Sequence, residues 1–495
     1  MVANGNNRCL DAFIVVLNQA CEGAEHCWYT STLELQRTSL EFCAACRSMP
    51  TFHVHVDDLT PRSLWRRHES HTCPNSVSTR VPAVRARRLT WKLPINALLG
   101  RSTVQLFSSL EFLQLGRRAL ASSSLGSAVW PRGLRILVLD FPPETPVEPV
   151  SWPPSLQSLA LGGVFDQPIA GIVWPALLQR LAFGSCFNQP IAGIPWPSSL
   201  ESVLFGRDFN QPVAEIVWPA SMKQLQFGRD FNQPIAGVAW PASLEKLSFG
   251  DCFNEPVAEV VLWPASLQQL SFGFSFNQPI VGMLWPASLQ QLEFGYYFNK
   301  PIIGVAWPHS LEHLSFGCCF DRPVRGVAWP RSLRQLSFGD NFCQPIVGVV
   351  WPSSLERLSF GAFFNRPIAG VAWPGSLQRL LFGFKFNHPI AGVKWPASLR
   401  HLSFGFKFNQ RIADVAWPAS LQELSFGKMF DRPVADAVWP ASLQQLSFGE
   451  NFSQPIDGVV WPASLKRVTR GGSRLFVVLG QDTVSGRSMG GSQLG

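Results

Sequence analysis

Trp240-Pro-Ala-Ser-Leu244-Glu-Lys-Leu247-Ser-Phe249-Gly250-Asp-Cys-Phe253-Asn254-Glu-Pro256-Val257 is one copy of a phrase that the chain repeats from Trp130 to Trp461. Trp-Pro pairs begin at 130, 152, 174, 196, 218, 240, 263, 285, 307, 329, 351, 373, 395, 417, 439 and 461. The step is 22 residues throughout, except for 23 between Trp240 and Trp263. A fixed period in this range marks a solenoid, in which one coil buries its apolar face only against its neighbours.

The interior of one copy predicts how a coil is made. In Leu267-Gln268-Gln269-Leu270-Ser271-Phe272 the apolar residues take the first, fourth and sixth places, and the last four residues alternate as a strand does. Glycine follows this segment in every full copy, from Gly162 to Gly449. A place that never carries a side chain requires either positive φ or close backbone approach. The next fixed group is Phe-Asn-x-Pro, as at Phe276-Asn277, and the Asn place is elsewhere filled by Asp166, Asp321, Asp431, Cys343 or Ser453. Small hydrogen-bonding side chains once per coil predict a ladder that satisfies a turn, and the adjoining Gln column reads as part of it or as a solvated strip. Two prolines in 22 residues leave no room for an α-helix of ordinary length, so the remaining segment is expected to be extended or to hold a short 3₁₀ turn. About five residues per coil should point inward, with the tryptophans forming a packing column.

The bulk composition agrees. Of 495 residues, 46% are hydrophobic and 15% charged, with 38 Phe and 19 Trp against 3 Tyr, which excludes wholesale disorder. The formal charge of +8 is small for this length, permits an acidic partner and argues against nucleic acid as the main one. The five repeat cysteines, at 186, 252, 318, 319 and 343, follow no pairing rule and read as free thiols, which points to a reducing, intracellular and cytoplasmic setting. No apolar run is long enough for a membrane span.

Residues 1–95 lack the repeat and read as a poorly ordered or small accessory segment. Residues 104–150 carry degenerate copies, such as Leu110-x-x-Leu113-x-Leu115, and read as an N-terminal cap; 151–470 form the repeat array, and 471–495 a Gly- and Ser-rich tail. Within the first segment Cys43-x-x-Cys46, His71 and Cys73 are weak zinc candidates, because Cys-x-x-Cys is half of a structural site but the other intervals are not standard. Arg80, Arg85, Arg87, Arg88 and Lys92 form a basic run that suits a solvated linker. A zinc-binding or nucleic-acid-contacting N-terminal module is therefore the alternative functional reading.

The string Leu-x-x-Leu-x-Phe-Gly-x-x-Phe-Asn-x-Pro-Ile resembles the FNIP repeat, a 22-residue relative of the leucine-rich repeat, in about fourteen copies over roughly 155–465. The resemblance implies a β-rich solenoid with a parallel sheet on its concave side, little helix, and a role in protein interaction. Arg411 replaces the proline of Gln-Pro-Ile, and Glu215, Glu259, Asp414 and Asp436 replace the later Gly, which is therefore not sterically required.

In an array, recognition is expected where the copies differ. Two places after the strand Gly vary freely, among them Phe274, Tyr296, Tyr297, Phe363, Phe384, Lys385, Phe406, Lys407 and Lys428, the mixture of aromatics and cations found in binding hot spots. The outward strand columns, with Arg180, Lys246, His313, Arg334, Arg357, Arg379, Arg400 and His401, offer a second surface. No nucleophile elbow, kinase loop or paired metal motif is present in the repeats. The sequence thus predicts a scaffold that binds a protein partner, without catalysis and with no cofactor.

Overall fold

The computed structural model describes residues 110–116, 128–141, 150–257 and 261–471, and the backbone of three further strands at 53–56, 88–91 and 473–476. It divides into two compact units, residues 1–256 with 260–267, and residues 257–259 with 268–495.

The first unit holds β1 (His53–Val56), β2 (Arg88–Trp91), β3 (Phe112–Leu115), β4 (Ile136–Leu139), β5 (Ser158–Leu161), β6 (Arg180–Ala182), β7 (Ser202–Leu204), β8 (Gln224–Gln226) and β9 (Lys246–Ser248). Each strand pairs in parallel with the next, in a register that places like residues opposite each other, Leu225 against Leu247 for example. The second unit holds β10 (Gln269–Ser271), β11 (Gln291–Glu293), β12 (His313–Ser315), β13 (Gln335–Ser337), β14 (Arg357–Ser359), β15 (Arg379–Leu381), β16 (His401–Ser403), β17 (Glu423–Ser425), β18 (Gln445–Phe448), β19 (Arg467–Arg470) and β20 (Ser473–Phe476). Here too successive strands are parallel, until β20 closes antiparallel on β19 with a register shift at Val468/Thr469. Both units are β-solenoids with one short strand per 22-residue coil, and no helix is found among the described residues.

A coil is one three-residue strand and three tight turns. In the coil of Trp218, Met222 N–H donates to Pro219 O (3.1 Å), Phe231 N–H to Gly228 O (3.3 Å) and Val238 N–H to Ile235 O (3.3 Å), each closing a four-residue turn. The segment opposite the strand is extended between turns, as the two prolines require. Seven columns point inward rather than five: Met222, Leu225, Phe227, Phe231, Ile235, Val238 and Trp240 are all buried in one coil's length. The extended segment contributes the last two, because it too alternates inward and outward.

The aromatic columns stack along the coils. Phe227 and Phe231 lie 4.0 Å apart within a coil; Phe227 meets Phe249 at 5.7 Å and Phe231 meets Phe253 at 6.0 Å in the next. The tryptophans form an offset-stacked column, with Trp307–Trp329 at 6.5 Å and Trp329–Trp351 at 6.4 Å. Their indole N–H groups are buried; Trp130 donates to Ser151 O at 2.6 Å, whereas those of Trp307, Trp329 and Trp351 face no acceptor.

Two glycine columns have different physical causes. The strand-following glycine sits at a close approach: a Cβ on Gly228 would lie 1.5 Å from Gly206 O, and one on Gly339 1.8 Å from Gly317 O. The later glycine holds the left-handed conformation, with φ +73° at Gly237 and +81° at Gly370, and a Cβ there would meet nothing within 4 Å. That open space accommodates the side chains of Glu215, Asp414 and Asp436 in the same column.

The expected ladder is present. The N–H of Asn210 donates to Asn188 Oδ1 (2.9 Å), that of Asn232 to Asn210 Oδ1 (2.9 Å) and that of Asp321 to Asn299 Oδ1 (3.1 Å). Gln211 and Gln233 add side-chain bonds to the same oxygens at 3.0 Å, so the Gln column belongs to the ladder. At Asp431 the Ser453 N–H, then the Gln454 side chain and the Ser453 hydroxyl, hold the carboxyl below its ordinary range against a smaller opposing effect of burial. A second ladder, formed by the Ser of Trp-Pro-Ala-Ser, runs beside the strands: Ser243 Oγ donates to Met222 O at 2.7 Å and Ser332 Oγ to Leu311 O at 2.7 Å.

Candidate interaction surface

The two variable places after the strand glycine are the middle residues of a turn, as at Asp251 and Cys252. Turn residues there project from the coil while the flanking Gly and Phe hold its backbone, so each coil can change its pair without disturbing the core. In the first unit the pairs are charged and partly self-neutralising, with Arg207 Nε 3.7 Å from Asp208 and Arg229 Nε 3.8 Å from Asp251.

In the second unit the same places are aromatic in five coils, those of Phe274, Tyr296, Phe363, Phe384 and Phe406. Phe274, Tyr296, Tyr297, Phe363 and Phe384 are each 40–49% exposed, and Phe406 is half-buried. They form organised clusters. Phe274 stacks on Tyr296 at 4.5 Å and meets Tyr297 edge-on at 5.1 Å, while Tyr296 and Tyr297 are themselves edge-on at 5.0 Å. Four coils on, Phe384 stacks on Phe406 at 4.5 Å. Lysines from following coils cover these rings: Lys385 Nζ is 4.2 Å from the Phe363 centroid, Lys407 Nζ 6.0 Å from Phe384 and Lys428 Nζ 5.9 Å from Phe406. The structure thus brings all nine ridge residues of the sequence reading onto one kind of turn, in two aromatic clusters, one of them cationic. Between the clusters lie Cys318 and Cys319; the hydrogen bond that the Tyr296 hydroxyl donates to the Cys318 side chain pushes that hydroxyl above its usual range, and burial does the same for the Cys319 thiol.

The outward strand columns form a mixed surface. Lys223 Nζ reaches Glu201 at 3.1 Å, Arg334 reaches Glu356 at 2.7 Å and His401 Nδ1 lies 2.8 Å from Glu423 Oε2. Across the coils the column of Ser271, Ser315, Ser337 and Ser359 is interrupted by Glu293 and by Leu381, which is 45% exposed.

The residue before each Trp-Pro pair has an outward position that composition alone conceals. Val217 is 86% exposed, Leu284 75%, Val350 80% and Val438 75%. The signal for it was strand alternation in the extended segment, which sends Val238 and Trp240 inward and Ala239 outward. The zinc candidates Cys43, Cys46, His71 and Cys73 lie outside the described residues. No helix among the described residues is long and apolar enough to cross a membrane.

Short parallel strands, a 22-residue coil and buried Leu and Phe columns define a leucine-rich-repeat type of solenoid. The repeats are FNIP repeats: that family's model matches residues 187–230, 231–275, 276–319, 320–363 and 386–429. Among solved structures, CroV588, described as a novel circular leucine-rich-repeat protein, is 34% identical with a TM-score of 0.61. The match covers 77% of this chain and 61% of that one, so the chain spans about three-fifths of its neighbour's length. The Drosophila Toll–Spätzle complex is 12% identical at a TM-score of 0.44, covering 76% of this chain and 57% of that one. A TLR13–ssRNA13 complex is 15% identical at 0.38, covering 78% and 71%. No curated protein matches the chain.

Proposed function

We propose that this chain is a non-catalytic scaffold, acting in a reducing intracellular compartment, that grips a protein partner by the aromatic and lysine ridge of its second unit. The observation that carries the reading is the clustering of Phe274, Tyr296 and Tyr297 into a stacked, exposed group that the core does not need. Aromatics fixed by their neighbours lose little side-chain freedom on binding, which is why such groups anchor interfaces. The cationic cluster of Phe384, Phe406, Lys407 and Lys428 adds a place for an acidic or aromatic side chain of the partner. Free thiols at Cys252, Cys318 and Cys319 support the compartment.

The test compares wild-type chain with the quadruple variant Tyr296→Ala, Tyr297→Ala, Phe384→Ala, Phe406→Ala in quantitative affinity purification, followed by titration of the captured partner as a purified protein. The reading expects at least a tenfold weaker complex for the variant, while Val217→Ser behaves as wild type. A partner set and affinity unchanged by the quadruple variant would remove the ridge from consideration.

A further inference from the structure

A different surface carries a more specific assignment, and it does not depend on the ridge. On the strand face of the second unit, the register sets Arg357 directly beside Arg379, and Arg379 directly beside His401. Neighbouring strands are about 4.8 Å apart, so two like charges face each other on adjacent strands, an arrangement that destabilises a sheet. Arg400 stands just before His401 at the start of β16, and it too is exposed. At other places the same face neutralises charges between coils, as Lys223 with Glu201 and Arg334 with Glu356 show. Here it does not. Glu356 is held by Arg334 and Glu423 by His401, and among the described residues no carboxylate lies within ion-pair distance of Arg357, Arg379 or Arg400.

The same coil breaks the neighbouring column as well. Residues one and three of a strand share its outer face, and in β15 these are Arg379 and Leu381, with Leu380 buried between them. Leu381 is the exposed aliphatic residue in a column otherwise held by Ser359 and Ser403 on either side. Two departures in one coil, one unpaired cation and one bare leucine, set an apolar spot about 7 Å along the strand from a row of guanidiniums.

We propose that Arg357, Arg379, Arg400 and Leu381 form a docking site for an acidic segment of a partner protein, with an aliphatic side chain set between carboxylates. Guanidiniums match carboxylates in shape as well as charge, and uncompensated arginines gain most from a ligand that brings the missing anions. Leu381 decides between polyanions: a nucleic acid supplies phosphates but no aliphatic group for it to cover, and β14, β15 and β16 hold no Phe, Tyr or Trp for bases to stack on, their one imidazole, His401, being engaged by Glu423.

The probe is a fluorescein-labelled peptide in which Asp and Glu flank a single Leu, titrated with the full chain by anisotropy. Its comparators are the same peptide with Asn and Gln in place of the acids, and an oligothymidylate of equal net charge. The proposal expects saturable binding of the acidic peptide that weakens with salt, and little binding of the amide peptide. Arg357→Glu with Arg379→Glu should weaken it at least tenfold and Leu381→Ser several-fold. Arg357→Gln with Arg379→Gln should also lose affinity while melting at or above the wild-type temperature, since it relieves a repulsion; this separates lost binding from lost fold. The ridge variant Tyr296→Ala, Tyr297→Ala should bind the peptide as wild type does, so failure of either surface leaves the other standing. Unaltered binding by the charge-reversed chain, absence of binding at millimolar peptide, or equal affinity for the oligothymidylate without dependence on Leu381 would each overturn the proposal.

Discussion

Replacing Gly339 by Ala strikes at a close approach between coils. A Cβ at 339 would lie 1.8 Å from Gly317 O, 2.3 Å from the Gly317 carbonyl carbon and 2.8 Å from Cys318 Cα. Real contacts of this kind stay beyond 3.0 Å, so against 1.8 Å the coils must part locally by about 1.2 Å. Three hydrogen bonds flank the glycine: Phe316 N–H to Ser337 O at 2.9 Å, Asn341 N–H to Cys318 O at 2.8 Å and Cys343 N–H to Asp321 Oδ1 at 3.0 Å. The same displacement would stretch them to about 4 Å, outside bonding range. At about 1 kcal/mol net for each, and with the Phe316–Phe338 contact loosened, the expected loss is about 3–5 kcal/mol. Gly370→Ala is the matched control, since nothing lies near its Cβ and only the left-handed backbone is strained, at about 1–2 kcal/mol. Denaturant titration of the full chain, followed by tryptophan fluorescence and circular dichroism, ranks the two. If Gly339→Ala cost no more than Gly370→Ala, the stacked carbonyls would not be where the structure has them.

Other substitutions separate core from surface. Phe342→Ala removes a fully buried ring stacked on Phe338, Phe320 and Phe364, and should cost about 3–5 kcal/mol in the same titration. Val350→Ser, at a position 80% exposed, should stay within about 0.5 kcal/mol of wild type. Asp431 has its carboxyl depressed below its unfolded value by the Ser453 N–H and the Gln454 amide. Its contribution is therefore complete above the unfolded carboxylate range and lost as pH falls through the depressed folded value. Asp431→Asn keeps the oxygen of the ladder and removes the titration, so the variant's acid-unfolding profile should be flatter below about pH 4 than that of wild type.

The architecture was legible because a period is independent of any single residue's propensity. Sixteen Trp-Pro marks and the Leu-x-x-Leu-x-Phe strand announce the parallel stacking, its register and about five of the seven inward columns. What the sequence left open were choices between two physical causes of one pattern. An invariant glycine after the strand is compatible with positive φ or with close approach, and only the position of Gly317 O relative to Gly339 decides. The Ser of Trp-Pro-Ala-Ser has the residue type of an ordinary turn, and only its regularity signals the bond that Ser243 makes to Met222 O. Val217 and Val350 would be placed inside on residue type, and their exposure follows from the alternation of an extended segment that has no strand ladder to announce it. For the surface, variability identified the ridge turns. The sequence also displayed the arginines of the sheet face, but register was needed to show Arg357 against Arg379 with no carboxylate between them.

The stacking of each coil on the next in a 22-residue parallel register is tested most directly by paired cysteines. Ser337 and Ser359 are register partners whose hydroxyls hydrogen-bond at 2.9 Å, and the spacing of adjacent strands falls within the Cα range of a disulfide. In Ser337→Cys with Ser359→Cys, mild oxidation followed by peptide mass mapping should find a 337–359 disulfide in high yield. The pair Ser337→Cys with Leu381→Cys, two coils apart at about 9.6 Å, should give none. A 337–381 link formed as readily as the 337–359 link, or no 337–359 link at all, would contradict the register on which both surfaces rest.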